Sequence, residues 1–129
     1  MIIDGNKITA DEGKLLLRKA DNLLFGKELT LGYTWYINGE LINPPHLEVP
    51  EDYTDTNYIE INGANYPIMS FDINYLIDYI IKLKYSPEDQ IAILCNIELD
   101  PTNEYYVTRY NEMQDWRKVA KEIAKKYAN

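Results

Sequence analysis

The sequence predicts a single α+β domain over residues 1–129, in which an N-terminal helix and one or two β-hairpins pack with a C-terminal bundle of about three helices. The dipeptide Asn-Gly occurs twice between runs of β-branched and aromatic residues, a pattern typical of hairpin turns. From residue 70 onwards, apolar side chains recur at three- and four-residue steps, which indicates helices. A length of 129 residues suits one domain with its own core. We therefore expect a mixed, β-rich half at 1–69 and a helical half at 70–129.

The first predicted element is a helix over about residues 10–24. The residues Thr-Ala-Asp-Glu at 9–12 match a capping box, in which the Thr9 hydroxyl accepts a bond from an early helical N–H and Glu12 accepts one from the N–H of Thr9. Leucines at 15–17 and 23–24 supply the apolar faces. Gly26 is a natural stop, because glycine readily adopts the left-handed conformation that ends many helices.

The first predicted hairpin joins a strand at Glu28–Ile37 to a strand at Glu40–Ile42. A type I′ turn needs positive φ at both central residues, and the Asn-Gly pair at 38–39 adopts it readily. Proline cannot donate to a β-ladder, so Pro44 ends the second strand. Residues 44–57 are then predicted as a loop, and a loop of that length is often functional or mobile.

A second hairpin is predicted from Tyr58–Ile61, through Asn-Gly at 62–63, into Ala64–Ile68. Pro67 lies in the outgoing strand and has no N–H to donate. We therefore expect this strand at the edge of its sheet.

Three helices are predicted in the second half, each preceded by a polar residue that can cap it. Two of them also have a proline at the start, where its missing N–H costs nothing. Taken alone, Ile91–Leu99 would fit a strand as well as a helix. The predicted helices are 71–84 after Ser70, about 87–97 after Ser86, and about 101–127 after Asp100.

The charge is acidic and uneven. The net charge is −8, with 11 acidic and 5 basic residues at 1–69 but 10 acidic and 8 basic residues at 70–129. An acidic surface repels phosphate backbones, so direct nucleic-acid binding is disfavoured. Two interpretations remain open, namely acidity that maintains solubility and an acidic surface that mimics DNA.

The cysteine content and hydropathy restrict the class of protein. Cys95 is the only cysteine and lies in the apolar run Ile91–Cys95, so we expect a buried thiol, no disulfide framework and a reducing compartment. No apolar stretch approaches the roughly 20 residues of a membrane span. The first residues lack the pattern of a secretory signal.

No catalytic, metal-binding or cofactor-binding residues are predicted. His46 is the only histidine and has no nucleophile nearby in sequence. The acidic segment Glu48–Asp55 lacks the glycine and the ligand order of an EF-hand. The six glycines are too far apart for a phosphate-binding loop. A small hydrolase would need a site that this sequence does not reveal, and we expect a protein that is not an enzyme.

Two groups of residues are candidates for protein–protein contacts. The aromatic group lies on the first predicted hairpin, and core packing is the alternative role for it. The basic group lies near the end of the last helix, where cations also complement the helix dipole. Docking onto an acidic surface is the other interpretation of this group, whether on another protein, on the acidic half of a second copy, or on DNA. The candidates are Tyr33, Trp35, Tyr36, Arg117, Lys118, Lys121 and Lys125.

Three stretches resemble small uncharacterised proteins encoded by phages and prophages of gut bacteria. Ile8–Lys14, followed by Leu31–Tyr33, is similar to the opening of such proteins, whereas Tyr85–Ile93 and Tyr110–Lys126 are similar to their C-terminal segments. The resemblance covers about a third of the chain and includes crAss-like phages among the possible sources. It carries no motif of known chemistry.

The resemblance implies a non-enzymatic phage structural protein, such as a head–tail connector or ring component. Its partners would be other virion proteins and further copies of itself, with no small-molecule substrate and no membrane. It would reside in the virion, and in the host cytoplasm during assembly. The alternative is an acidic, phage-encoded inhibitor of a host defence nuclease that acts as a DNA mimic.

Overall fold

The α+β class is confirmed in a computed structural model, in which the described strands precede the helices along the chain. The structure describes residues 1–4, 7–30 and 52–129, together with the backbone of 35–37 and 40–42. The chain divides into two compact units, Met1–Met69 and Ser70–Asn129.

The described part of the first unit consists of antiparallel strands. They form a three-stranded sheet, a four-stranded sheet and a two-stranded sheet. In chain order the strands are β1 (Ile2–Asp4), β2 (Lys7–Thr9), β3 (Leu15–Arg18), β4 (Leu23–Gly26), β5 (Glu28–Thr30), β6 (Trp35–Ile37), β7 (Glu40–Ile42), β8 (Tyr53–Ile61) and β9 (Ala64–Ile68).

The sheets of the first unit enclose a small apolar core. The three-stranded sheet has the order β1-β2-β5, and the four-stranded sheet has the order β4-β3-β8-β9. Ile8 of β2 and Leu16 of β3 are fully buried and cluster with Ala10. Phe25 and Tyr53 pack against this cluster with their rings edge to face, at a centroid distance of 5.8 Å.

The predicted N-terminal helix at 10–24 is wrong, because β3 and β4 form a hairpin there. Gly13 has φ +79° and Asn22 has φ +55°, and neither value continues a right-handed helix. The Arg18 guanidinium donates two hydrogen bonds to the Asp21 carboxylate, at 3.0 and 2.6 Å. This ion pair stabilises the hairpin turn. The same Asp21 carboxylate accepts a bond from the N–H of Leu23 at 3.4 Å.

The capping box at 9–12 does not cap a helix either. Thr9 lies in β2, opposite Glu28. The following residues make a turn in which the Lys14 N–H donates to the Asp11 carbonyl at 2.9 Å. A leucine run fits β3 because this strand is flanked by β4 and β8 and therefore lies inside its sheet.

Both Asn-Gly hairpins are present, but the first is shorter than predicted. The predicted strand Glu28–Ile37 does not pair as one strand, because β5 pairs with β2 and β6 pairs with β7, and residues 31–34 between them lie outside the described residues. In the first, Ile37 of β6 pairs with Glu40 of β7, and the two turn residues between them lie outside the described residues. In the second, Asn62 has φ +52° and Gly63 has φ +82°, the two positive values that a type I′ turn requires. Pro67 lies in β9, which is an edge strand as predicted.

The predicted loop at 44–57 is wrong over its last residues. β8 begins at Tyr53 and is nine residues long, and its first half pairs with β3, with Thr54 opposite Leu17 and Thr56 opposite Leu15. The β-branched threonines favour a strand here. The acidic residues around them are the reason why the sequence predicts a loop. Residues 43–51, including His46, lie outside the described part of the chain.

The second unit contains the three helices that were predicted, and four of their six ends differ from the prediction. They are α1 (Ile73–Lys82), α2 (Pro87–Leu99) and α3 (Glu104–Tyr127). The strand alternative for residues 91–99 is therefore wrong.

Only one of the three predicted helix caps is confirmed. Ser86 caps α2, since its hydroxyl accepts from the Asp89 N–H at 3.1 Å. The cap of α1 is Asp72 instead of Ser70, and its carboxylate accepts from the Tyr75 N–H at 3.1 Å. The cap of α3 is Asn103 instead of Asp100, since Asp100 ends α2.

Candidate functional site

Helix α2 has apolar side chains on two opposite sides. Ile93 is 5% exposed and packs in a buried cluster with Met113 of α3 and Tyr85. On the other side of α2, Ile91 is 62% exposed and Leu99 is 84% exposed. At 3.6 residues per turn, residues 91, 94, 95 and 99 share this outer side. We call the set Ile91, Leu94, Cys95 and Leu99 the α2 stripe.

Only acidic charges accompany the α2 stripe. Glu98 lies on the same side of the helix as the α2 stripe. Glu88 lies at the N-terminal end of the stripe and Asp100 follows its C-terminal end. All three side chains are exposed. The segment 87–100 contains no lysine or arginine. Within the described part of the chain, neither Glu88 nor Glu98 forms an ion pair. The outer side of α2 is therefore apolar with an uncompensated negative charge.

Cys95 belongs to this outer side, and its predicted burial is wrong. Its side chain is exposed. Two residues correspond to a rotation of about 200° around a helix, so Cys95 points away from the side on which Ile93 is buried. The apolar run that suggested a buried thiol spreads its residues around the whole helix.

The predicted basic residues of α3 form a second surface. Arg117, Lys121 and Lys125 follow one another at four-residue steps and so lie along one side of the helix, with Lys118 beside them. Arg117 is half-buried and the three lysines are exposed. None of the four pairs with an acidic residue that the structure describes. We call these four residues the basic stripe.

The helix dipole accounts for only part of the basic stripe. Lys125 lies in the last turn of α3, where a cation is stabilised by the dipole. The dipole's influence falls off within that turn, and Arg117, Lys118 and Lys121 lie before it. Three of the four charges therefore have no explanation within the helix to which they belong.

The aromatic candidates belong to the first unit. Tyr33 lies outside the described residues, and Trp35 and Tyr36 form the first two positions of β6. Their proposed role in contacts stays a prediction.

A small cavity between α2 and α3 is a feature that the sequence did not indicate. It has a volume of about 120 Å³ and its polar lining comprises Asp89, Asn96 and Arg109, with the rings of Tyr105 and Tyr106 beside them. Pockets for drug-sized ligands measure roughly 300–1,000 Å³, so this one accommodates a few waters or one short side chain. On α3 the lining residues Tyr105 and Tyr106 lie four and three residues before Arg109. This spacing places side chains on the same side of a helix.

Metal sites and membrane-spanning helices are two further kinds of feature that the described part of the chain could contain. Its His, Cys, Asp and Glu residues nowhere gather in threes in a way that could hold a metal ion. None of its helices combines the length and the apolar character that crossing a membrane requires.

The first unit contains a cluster of one ammonium group and two carboxylates. The Met1 ammonium lies 2.5 Å from Asp11 Oδ1 and 3.0 Å from Asp55 Oδ2, and Asp55 also accepts from the Asp11 N–H at 3.3 Å. The hydrogen bonds to Asp11 and Asp55 raise the pKa of the ammonium. Partial burial alone would raise the pKa of Asp55, but the bonds from the ammonium and the Asp11 N–H together lower it.

Comparison with known proteins does not assign the chain to a family. No family model, curated protein or solved structure matches it. The surfaces of the molecule itself are therefore the basis for a proposed function.

Proposed function

We propose that this chain is a non-enzymatic phage structural protein, such as a head–tail connector or ring component, that acts by binding further copies of itself and neighbouring virion proteins. The α2 stripe is the observation that carries the proposal. Single exposed apolar residues are ordinary, whereas a continuous apolar side of a helix with a polar rim is typical of an interaction surface. Ile91 and Leu99, exposed at 62% and 84%, are the largest contributors.

The basic stripe supports assembly of several copies. Two different surfaces on one chain, of opposite charge, favour head-to-tail contacts over a two-fold symmetric dimer. Head-to-tail contacts generate a ring when the rotation between copies closes and a filament when it does not. Both outcomes suit a component of a particle.

The phage part of the proposal rests on the resemblance described above. Two of the resembling segments overlap the two surfaces. Tyr85–Ile93 includes Ile91 at the start of the α2 stripe, and Tyr110–Lys126 includes the whole basic stripe. The protein would then be located in the virion, and in the host cytoplasm during assembly. The partners would be virion proteins, without direct nucleic-acid binding.

Two measurements test this function. Sedimentation of the purified full chain over a range of concentrations should show species larger than the monomer. Mass spectrometry of purified particles from the phage that encodes the chain should detect it at a fixed copy number. A chain that is monomeric at every concentration and missing from particles would overturn the proposal.

A second candidate function is inhibition of a host defence nuclease by DNA mimicry. The observation that favours it is the number of exposed acidic side chains among the described residues of the first unit, which are Asp4, Asp11, Glu12, Asp21, Glu28, Asp52 and Glu60. Asp11, Asp21 and Glu28 form ion pairs, with the Met1 ammonium, Arg18 and Lys7 respectively. These pairs reduce the negative field and place this candidate second. Capture of a host nuclease by the chain, reversed by added duplex DNA, would support it over the structural role.

A further inference from the structure

We infer that the α2 stripe of one copy is the docking site for the basic stripe of a second copy. This inference rests on the proposed self-association and adds which two surfaces meet. It differs from the expectation that basic residues would contact the acidic first half of a neighbour, because it places the acceptor in the second unit.

Charge complementarity identifies the occupant. The segment 87–100 has four acidic residues and no basic ones, whereas the segment 117–125 has four basic residues and one acidic residue, Glu122. An apolar helix side with acids along it fits a helix whose exposed side carries cations. Among the helices of this chain, α3 provides such a side over its second half.

Lys121 and Lys125 of the basic stripe lie too far along α3 to reach the C-terminal part of the α2 stripe in the same copy. α2 lies beside the first half of α3, since Asn96 shares the small cavity with Tyr105 and Arg109. A helix rises 1.5 Å per residue, so the distance along α3 from Arg109 to Lys121 is about 18 Å. A lysine side chain is much shorter than that. The charges of Glu98, Lys121 and Lys125 therefore do not neutralise one another within one copy, and they remain available to a second copy.

Lysine side chains also suit the apolar part of the α2 stripe. The four-carbon stems of Lys121 and Lys125 can cover Leu94 and Leu99 while their ammonium groups reach carboxylates at the rim, such as Glu98. A contact of this kind removes apolar surface from water and pairs charge without burying an isolated ion.

The size of α2 sets the strength of each contact. Its 13 residues make a helix about 20 Å long. One side of such a helix offers less than the roughly 800 Å² per partner of a standard stable interface. Each contact should therefore be weak, with a dissociation constant of roughly micromolar or higher, and a closed ring would stabilise it by joining several contacts.

A charge-swap experiment on the full chain tests the inference. One variant reverses the basic stripe (Lys121→Glu with Lys125→Glu), and another reverses the rim of the α2 stripe (Glu88→Lys with Glu98→Lys). Lys19→Glu with Lys27→Glu is the matched control for the first, because both lysines are exposed in the first unit and the net charge changes equally. Circular dichroism verifies that each variant is folded.

Sedimentation at low and high salt, up to about 1 mM protein, gives the readout. We expect wild type and control to self-associate, more strongly at low salt, and each stripe variant to do so at least 10-fold more weakly. An equimolar mixture of the two stripe variants should regain association, because each reversed stripe then meets a complementary one.

The contrary outcomes are distinguishable. Self-association that neither reversal weakens, or a mixture that stays dissociated, overturns the pairing of the stripes and leaves self-association intact. If only the basic-stripe reversal weakens association, the acceptor lies elsewhere, and the inference is overturned as well. A wild-type chain that stays monomeric throughout overturns the inference, whereas its detection at a fixed copy number in purified particles would still support the structural role.

Discussion

The indole nitrogen of Trp116 in α3 donates a hydrogen bond to the backbone carbonyl of Ile80 in α1, at 3.0 Å. The Ile80 carbonyl lies in the last turn of α1, where it accepts a bond from the Leu83 N–H at 3.2 Å, and Trp116 adds a side-chain donor from another helix. Lys84 lies over the same indole ring, with its ammonium 4.8 Å from the ring centroid. Trp116 thus fixes the position of α1 along α3.

We expect Trp116→Phe to destabilise the protein by about 1–2 kcal/mol. Phenylalanine keeps most of the apolar contact but removes the donor to the Ile80 carbonyl and weakens the attraction to Lys84. Urea unfolding followed by circular dichroism measures the loss. Tyr105→Phe is the control, because Tyr105 is an aromatic residue of the same helix with 67% exposure and should change stability little. Equal effects of the two substitutions would contradict the role given to Trp116.

Leu16→Ala is expected to destabilise the protein by about 2–5 kcal/mol, the usual cost of a cavity in a packed core. Leu16 is fully buried on β3, the strand that replaces the expected N-terminal helix. Leu23 is 48% exposed on the neighbouring strand β4, so Leu23→Ala should cost much less. Thermal unfolding of both variants measures the difference. A helix over these residues would place the two leucines only about 20° apart around its axis, so similar losses would contradict the hairpin.

The features that the sequence predicts are those whose causes lie within a few residues. Asn-Gly at 62–63 supplies both positive φ values of its turn by itself, and Ser86 caps α2 three residues away. The basic stripe likewise follows from four-residue spacing alone. Such signals do not depend on what the rest of the chain does.

The features that the sequence misses depend on distant residues. The leucines at 15–17 form a strand because β8, about 40 residues later, pairs with them, with Leu16 opposite Asp55. The local capping-box pattern cannot compete with that pairing. Similarly, the exposure of Cys95 depends on which side of α2 meets α3. The sequence signal for the α2 stripe is the combination of apolar and acidic residues, without basic ones, at 88–99.

Acidification should destabilise the first unit through Asp55. The pKa of Asp55 is lowered in the folded chain, so its ionised form contributes stability that is fully present above the ordinary value of about 4 and is lost as the pH falls through the lowered value. The pKa of the Met1 ammonium is raised, so its contribution is lost as the pH rises above about 8. Stability should therefore be greatest between these limits.

Asp55→Asn tests this dependence. We expect the variant to be less stable than wild type at pH 7 and to lose less stability between pH 4 and pH 2, with urea midpoints as the measure. Glu12→Gln is the control, since Glu12 is an exposed carboxylate outside the ion pairs of the described residues. Parallel curves for wild type and Asp55→Asn would show that Asp55 does not carry the acid dependence.

Cys95 provides a direct probe of the α2 stripe, because its thiol is exposed in the folded chain. A maleimide reagent should label one equivalent of native, dilute protein at a rate close to that of a small free thiol. Labelling should slow as the protein concentration rises, since a second copy docked on α2 would cover Cys95. The basic-stripe variant Lys121→Glu with Lys125→Glu should be labelled at the same rate at all concentrations. A thiol that reacts only after unfolding would contradict its placement on the outer side of α2, and labelling independent of concentration in an associating wild-type chain would place the contact between copies elsewhere.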